Sequence, residues 1–233
     1  MIEADFWKKY FEVYDILNEL RPYQDLLSLI IERAKVHSGD LILDAGAGTG
    51  NLAILLEKNG AKVVAFDSSE AGLAQYQQKN PKATTKIGNI LEPLPFADGY
   101  FDKICSNNVL YTLPRGSRGK VAKELYRVLK PGGLIVVSNI IEGFSPVKIY
   151  RDELVLDFKN SAVMAFSKIV RFLVPTIKIF YYNFLIKKEN KSGGYDFFKK
   201  GEQSDLLLSA GFIDISNDMS VYANQGVLTS GHK

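Results

Sequence analysis

The decapeptide Leu41-Ile-Leu-Asp-Ala-Gly-Ala-Gly-Thr-Gly50 constrains this chain more than any other stretch. Apolar residues lead into an acid, and glycines follow at alternate positions. This is the pattern of a buried strand that ends in a tight turn and opens a helix. Glycine takes backbone conformations closed to other residues and lets a ligand come close to the main chain. The N-terminus of the following helix points at the same spot and favours an anionic group there. Strand and helix patterns then alternate as far as Ile140, which predicts an α/β protein with a mostly parallel sheet.

Taken in order, Phe6, Tyr10, Tyr14 and Leu17 share one helical face. Pro22 is expected to break that pattern before a second helix over 25–36. Leu41–Asp44 reads as the first strand and 50–58 as a helix. Strands follow at 62–67, 83–88, 101–106 and 134–140, with helices at 71–79 and 120–129. Lys130-Pro-Gly-Gly133 reads as the stop signal after the last of these helices. From Gly143 to Lys199 the alternation fails, and long apolar-aromatic helical patterns replace it. A helix at 202–209 and two strands, 212–222 and 227–230, close the chain.

The spacing of the turn narrows its ligand. A dinucleotide fingerprint needs G-x-G-x-x-G, with the third glycine at position 51; position 51 is Asn51. Asp44, directly before Ala45-Gly46, would repel a pyrophosphate. It would suit a ligand that carries an ammonium beside a carboxylate. Asp67, at the end of the second strand, stands where an acid usually accepts both hydroxyls of a ribose. An amino acid joined to a nucleoside meets both demands, and S-adenosylmethionine is such a molecule.

At this point the sequence resembles the class I S-adenosylmethionine-dependent methyltransferases. The decapeptide looks like their first motif and Val64-Ala-Phe-Asp67-Ser68 like their second-strand acid. Gly88-Asn89-Ile90, with Leu94-Pro-Phe-Ala-Asp98 and Phe101-Asp102, is similar to their adenine loop. Ser106-Asn-Asn-Val-Leu-Tyr111 resembles the end of their fourth strand, and Glu124-Leu-Tyr-Arg-Val-Leu-Lys-Pro-Gly-Gly133 the approach to the fifth. The likeness covers roughly residues 38–142 and, more loosely, 200–230. It implies a Rossmann-like, seven-stranded, mostly parallel sheet with helices on both faces, an antiparallel last strand, an N-terminal helical cap and a helical lid insertion. The domain plan is a single unit over 1–233: a cap (1–37), a core (38–142 and 200–233) and a lid (143–199).

The resemblance also implies roles. Asp44, Ala45, Gly46 and Gly48 would flank the methionine moiety. Asp67 would hold the ribose with Ser68 beside it. Asn89, where the family usually has an acid, and Ile90 would meet the adenine edge. Asn107 would present its backbone near the sulfonium. The run Phe11-Glu-Val-Tyr14-Asp15 is similar to a segment whose tyrosine folds over the cofactor, so Tyr14 is a candidate cover; the other reading is packing. Relatives that methylate carbon or oxygen often carry a histidine after the fourth strand. Here the residue is Tyr111, a catalytic candidate able to orient an acceptor, or a packing residue at a helix start.

Composition excludes several classes. One cysteine, Cys105, allows no internal disulfide, and it reads as a buried core residue. His37 and His232 are far apart, so no metal site is expected. A net charge of +3 is too weak to argue for nucleic acid. The N-terminus lacks a signal-peptide pattern, which points to the cytoplasm.

The acceptor belongs to the insertion. Between Phe158 and Lys188 stand six basic residues and no acid. On a helical wheel Lys168, Arg171 and Lys178 share one arc. Phe166, Ile169, Val170, Leu173, Ile177, Phe180, Tyr181 and Phe184 share the opposite one. Pro175 should kink or divide the helix. Two readings follow. In one, the apolar face covers the active site and the basic face is solvated. In the other, residues 159–188 lie on an anionic membrane and admit a lipid-like acceptor. The expected activity is methyl transfer from S-adenosylmethionine to a small, partly apolar or lipid-like acceptor. A non-catalytic S-adenosylmethionine-binding or membrane-associated protein is the alternative. An aminopropyl-type transferase is a lesser one, since Asn107 and Asn108 stand where its acid pair would.

Overall fold

The computed structural model describes residues 9, 10, 13, 15–145, 147–151, 155, 157, 162–189 and 196–233. Seven strands form one sheet in the order β3-β2-β1-β4-β5-β7-β6. They are β1 (Leu41–Ala45), β2 (Lys62–Asp67), β3 (Thr84–Ile87), β4 (Phe101–Asn107), β5 (Leu129–Ile140), β6 (Met219–Val221) and β7 (Gly226–His232). The first five pair in parallel, while β7 runs antiparallel between β5 and β6. The helices are α1 (Arg21–Ala34), α2 (Asn51–Lys58), α3 (Glu70–Lys79), α4 (Arg115–Val128), α5 (Ala162–Glu189) and α6 (Glu202–Ala210). The Rossmann-like reading of the sequence is met. The sheet reverses direction of growth between β1 and β4, and ligands of open α/β sheets bind outside the strand ends at such a point.

Central strands are buried on both faces, as parallel sheets require. Ile42 packs with Leu26 and Ile30 of α1 and Leu56 of α2. Its neighbour Leu43 faces the opposite layer, with Val121 and Leu125 of α4 and Leu207 of α6.

Three local expectations change. Pro22 does not end a helix; it sits in the first turn of α1, which begins at Arg21. A first-turn residue has no intrahelical use for its N–H, so proline is at home there. A 3₁₀ turn, Asp15–Glu19, precedes it. Lys130-Pro-Gly-Gly133 lies inside β5, which starts at Leu129 opposite Phe101, and the register slips between Phe101 and Lys103. The slip absorbs the proline as a bulge, and the chain end anchors it through Lys233 N–H to Gly133 O, 3.0 Å. The stretch 212–222 yields strand only at Met219–Val221, plus one bridge from Ile213 to His232. Asp214, at φ 49°, takes the chain out of the extended region between them.

Pro175 neither divides nor ends α5, which runs from Ala162 to Glu189 around it. The face α5 turns inward is not the predicted apolar arc. Phe172 and Ile179, seven apart, are buried, whereas Phe166, Val170, Leu173, Ile177 and Tyr181 are exposed. Phe172 joins the core cluster that includes Leu20 and Tyr23 at the start of α1. The helix is apolar around more than half its circumference, so periodicity alone could not choose which apolar arc docks. Among the described residues no helix is long and apolar enough to cross a membrane.

Candidate functional site

Parallel pairing brings the predicted residues onto one rim of the sheet. Asp67 is paired with Ile87, so Gly88 and Asn89 follow β3 beside the end of β2. The Gly88 N–H donates to Asp67 O at 3.0 Å. The turn after β1 crosses to β2 through Gly46 N–H and Ala47 N–H, both donating to Phe66 O (2.7 and 3.1 Å). On the other side Ser106 Oγ donates to Ala45 O at 2.8 Å and fixes the end of β4 against β1. The order along the rim is therefore Asn89 and Ile90, Asp67 and Ser68, Asp44 to Gly48, then Asn107.

The turn itself is held open by its glycines. Gly46, Gly48 and Gly50 all have positive φ. A Cβ at Gly46 would overlap the Val109 side chain, and one at Gly50 would overlap the Tyr76 ring. Gly50 caps α2, whose N-terminus faces the rim.

Two carboxylates flank this turn. Asp44 is 1% exposed, and its Oδ2 has no hydrogen-bond partner. Burial pushes its carboxyl up to about 8, helped by the negative charge of Asp67 and opposed by the Ala53 N–H. A buried, half-satisfied carboxyl is costly on its own and is relieved by a cationic or donor group beside it. Asp67 is oriented by Gly48 N–H to Oδ2 (2.8 Å) and Ser69 N–H to Oδ1 (2.7 Å). Burial raises its pKa against these bonds. The N–H groups of Gly48, Ser68 and Ser69 all favour its ionised form, the state in which a carboxylate accepts from a ribose diol. An orphaned acid, an oriented acid and a glycine cradle at a helix start fit an amino-acid nucleoside.

The remaining candidates behave as follows. Ser68 is exposed beside Asp67. Asn89 is exposed, and its Oδ1 accepts from Leu91 N–H at 3.0 Å, so one of its two lone pairs is already engaged. Asn107 ends β4 with its Oδ1 accepting from Ser138 Oγ (2.6 Å), and Asn108 turns the chain at φ 58°. Tyr111 is fixed by its N–H to Asn139 Oδ1 (3.0 Å) and stacks on Phe197 with ring centroids 5.7 Å apart. Burial pushes its phenol up to about 12. At neutral pH it is a hydrogen-bond donor rather than a base. Tyr14 lies outside the described residues, as does Phe6.

Sequence reasoning missed two sets of residues. Asp15 reaches the glycine turn: Thr49 Oγ1 donates to its Oδ1 (2.7 Å), and Lys79 Nζ lies 2.5 Å from its Oδ2. Lys79 Nζ also donates to Thr49 O at 2.9 Å. The 3₁₀ turn that begins at Asp15 is thus tied to the glycine turn. The second set is Arg115 and Arg118. Arg118 is fully buried over the Phe198 ring, 4.3 Å from its centroid, and donates to Asp196 O and Tyr111 O. Arg115 grips the Asp196 carboxylate with two N–H groups, 2.6 and 2.9 Å. Together they fasten the segment entering α6 onto the loop of Tyr111. The only hint in the sequence was a basic start to a helix, Arg115-Gly-Ser-Arg118, which carries no sign of a partner some 80 residues on. A groove of about 650 Å³ on α4 and α6, lined by Lys120, Lys123 and Arg127 among others, contains none of the rim residues.

Comparison with known proteins agrees with this geometry. Residues 43–137 match the methyltransferase domain family. An uncharacterized methyltransferase from Synechocystis is 30% identical over 112 residues, 48% of this chain and 52% of that protein. A malonyl-[acyl-carrier protein] O-methyltransferase from Erwinia pyrifoliae is 37% identical over 117 residues, 49% of this chain and 42% of that one. The chain therefore spans about half the length of these relatives. In structure, 1,6-didemethyltoxoflavin-N1-methyltransferase from Burkholderia thailandensis, solved with bound 1,6-didemethyltoxoflavin and S-adenosylhomocysteine, superposes with a TM-score of 0.65. It is 17% identical, and the match covers 99% of this chain and 86% of that one.

Proposed function

We propose that the chain is a class I S-adenosylmethionine-dependent methyltransferase and that it transfers the methyl group of S-adenosylmethionine to a small, partly apolar or lipid-like acceptor held under the lid of 143–199. The observation that carries the cofactor half is the pair of differently satisfied acids on one rim: Asp44 with an orphaned oxygen and Asp67 with two oriented ones. Asp44, Ala45, Gly46 and Gly48 would hold the methionine end. Asp67 and Ser68 would take the ribose, Asn89 and Ile90 the adenine, and Tyr14 would cover them. When bound, the cofactor supplies an electrophilic methyl on a sulfonium.

What the chain adds is position and dryness. In-line displacement at a sulfonium is accelerated mainly by aligning the nucleophile and excluding water. Asn107, braced by Ser138, sets the backbone at the end of β4. Tyr111, kept protonated, donates a hydrogen bond and orients an acceptor without taking its proton. Among the described residues we assign no general base, so the acceptor best suited is one already nucleophilic at neutral pH, such as a carboxylate or an unprotonated amine. The relative named as a malonyl-[acyl-carrier protein] O-methyltransferase has an activity of this kind.

The test is to incubate the protein with S-adenosylmethionine and a panel of partly apolar carboxylates and amines, including acyl thioesters. Mass spectrometry should find a product heavier by one CH₂ together with S-adenosylhomocysteine. Tight cofactor binding with no product from any acceptor favours the non-catalytic alternative, and absence of cofactor binding overturns the assignment.

A further inference from the structure

We infer that the outward face of α5 seats the protein on an anionic lipid bilayer. The helix docks through the arc centred on Phe172 and Ile179, which are buried. Away from that arc Val163, Phe166, Val170, Val174, Ile177 and Tyr181 are each 57–79% exposed. At helical spacing these six side chains fall within about 80° of one another and extend over about 27 Å. Exposed large apolar groups are common singly, but a contiguous stripe of this length marks an interaction surface.

The margin of the stripe identifies what it meets. Arg171 and Lys178, both exposed, lie next to Val174 on one side of it. Arg171 pairs with Glu19 at 2.7 Å, a surface contact weak enough to exchange for a lipid phosphate. From Phe158 to Lys188 the sequence has six cations and no acid. An apolar centre edged with cations complements acyl chains beneath anionic headgroups. A second copy of this chain would bring the same cations to the seam, with no acid in the segment to meet them. The helix does not cross a membrane, so it lies in the interface with its axis along the surface. This inference goes beyond the proposed reaction: it needs neither a bound cofactor nor turnover.

The full chain should co-sediment with vesicles of phosphatidylcholine containing phosphatidylglycerol roughly tenfold more strongly than with phosphatidylcholine alone, and added salt should release it. Val170→Glu combined with Ile177→Glu changes only exposed positions and should reduce vesicle binding at least about tenfold. Helical content and S-adenosylmethionine affinity should stay unchanged. Leu208→Glu, an equally exposed apolar site on α6, should leave vesicle binding as it was. Arg171→Gln with Lys178→Gln should weaken binding and flatten its salt dependence. Equal binding to the two vesicle types, full binding by the Val170/Ile177 variant, or an unaltered salt dependence in the Arg171/Lys178 variant would each overturn the inference. So would a dimer, free of vesicles, that the Val170/Ile177 variant dissolves; that result assigns the stripe to a second copy. Loss of cofactor binding in the parent chain would instead count against the reaction and leave the bilayer result standing.

Discussion

The glycine turn around Gly46–Gly50 and α5, the long helix of the proposed lid, are built on opposite terms. In the turn the polar groups are main-chain N–H donors and two acids held at the ends of adjoining strands, and a Cβ at Gly46 or Gly50 has nowhere to go. In the lid, Phe172 and Ile179 are buried while a whole apolar stripe faces out, and the tie to the N-terminal segment includes an exposed ion pair, Arg171 with Glu19. The difference teaches where specificity can vary. A site made of buried backbone admits one ligand shape, because altering it disturbs the sheet. A helix face made of exposed side chains can be rewritten at little cost in stability.

Matched substitutions should expose that contrast. The largest effect is expected from Gly50→Ala, which adds one methyl at φ 76° against the Tyr76 ring. S-adenosylmethionine affinity measured by calorimetry should fall by about 100-fold or more, since strain and overlap together cost a few kcal/mol. Asp67→Ala should follow with at least a tenfold loss, because a diol loses a charged acceptor and two backbone donors lose theirs. Unchanged affinity in either would dissolve the claim that the cradle is rigid.

The third test is pH. Asp44 has its carboxyl raised from 3.8 to about 8 on folding. The folded chain therefore holds that proton more tightly than the unfolded chain. The contribution to stability is complete below about pH 4 and is lost as pH rises through about 8. The melting temperature of the cofactor-free protein should fall by roughly 5 °C or more between pH 5 and pH 8, and Asp44→Asn should flatten that slope. A steeper or unchanged slope in the variant would separate the effect from Asp44. Asp15→Asn cuts the charge that binds Thr49 and Lys79 and should cost about threefold in cofactor affinity, with little change in melting. The smallest effect belongs to the lid: Arg171→Gln should alter stability by no more than about 0.5 kcal/mol in denaturant titration and leave cofactor affinity alone. A larger loss would mean that the lid is bound as firmly as the cradle.

What the sequence disclosed follows the same division. Asp44, the three glycines and Asp67 were legible because a buried parallel strand, a tight turn and a helix start each impose residue types at fixed spacing. Asn139, which receives the Tyr111 N–H and donates to Gln203 Oε1 at 2.7 Å, was not, since it sits mid-strand in an otherwise apolar run. Arg118 was hidden for a related reason: a buried arginine needs partners far along the chain, and no local pattern announces them. Pro22 was misplaced because a proline serves equally to stop one helix and to start another. In α5 the apolar residues were all visible, and only tertiary packing could decide which of them turn inward.

One feature of the connection into the lid reaches beyond chemistry. The chain leaves the sheet at Ile141 and returns at Phe198, and these two residues are neighbours in a parallel bridge. Phe198 N–H donates to Ile140 O at 3.1 Å, and Glu142 N–H to Phe198 O at 3.0 Å. Exit and return coincide, with Arg115 and Arg118 clamping the return. The closure entropy of whatever lies between grows only slowly with its length. A segment joined in this way behaves as a cassette: inserts of other lengths and compositions can be spliced between the same two residues while the sheet below folds unaltered. Grafting the corresponding insert of a relative between 142 and 196 should then leave the sheet folded and the affinity for S-adenosylmethionine unchanged.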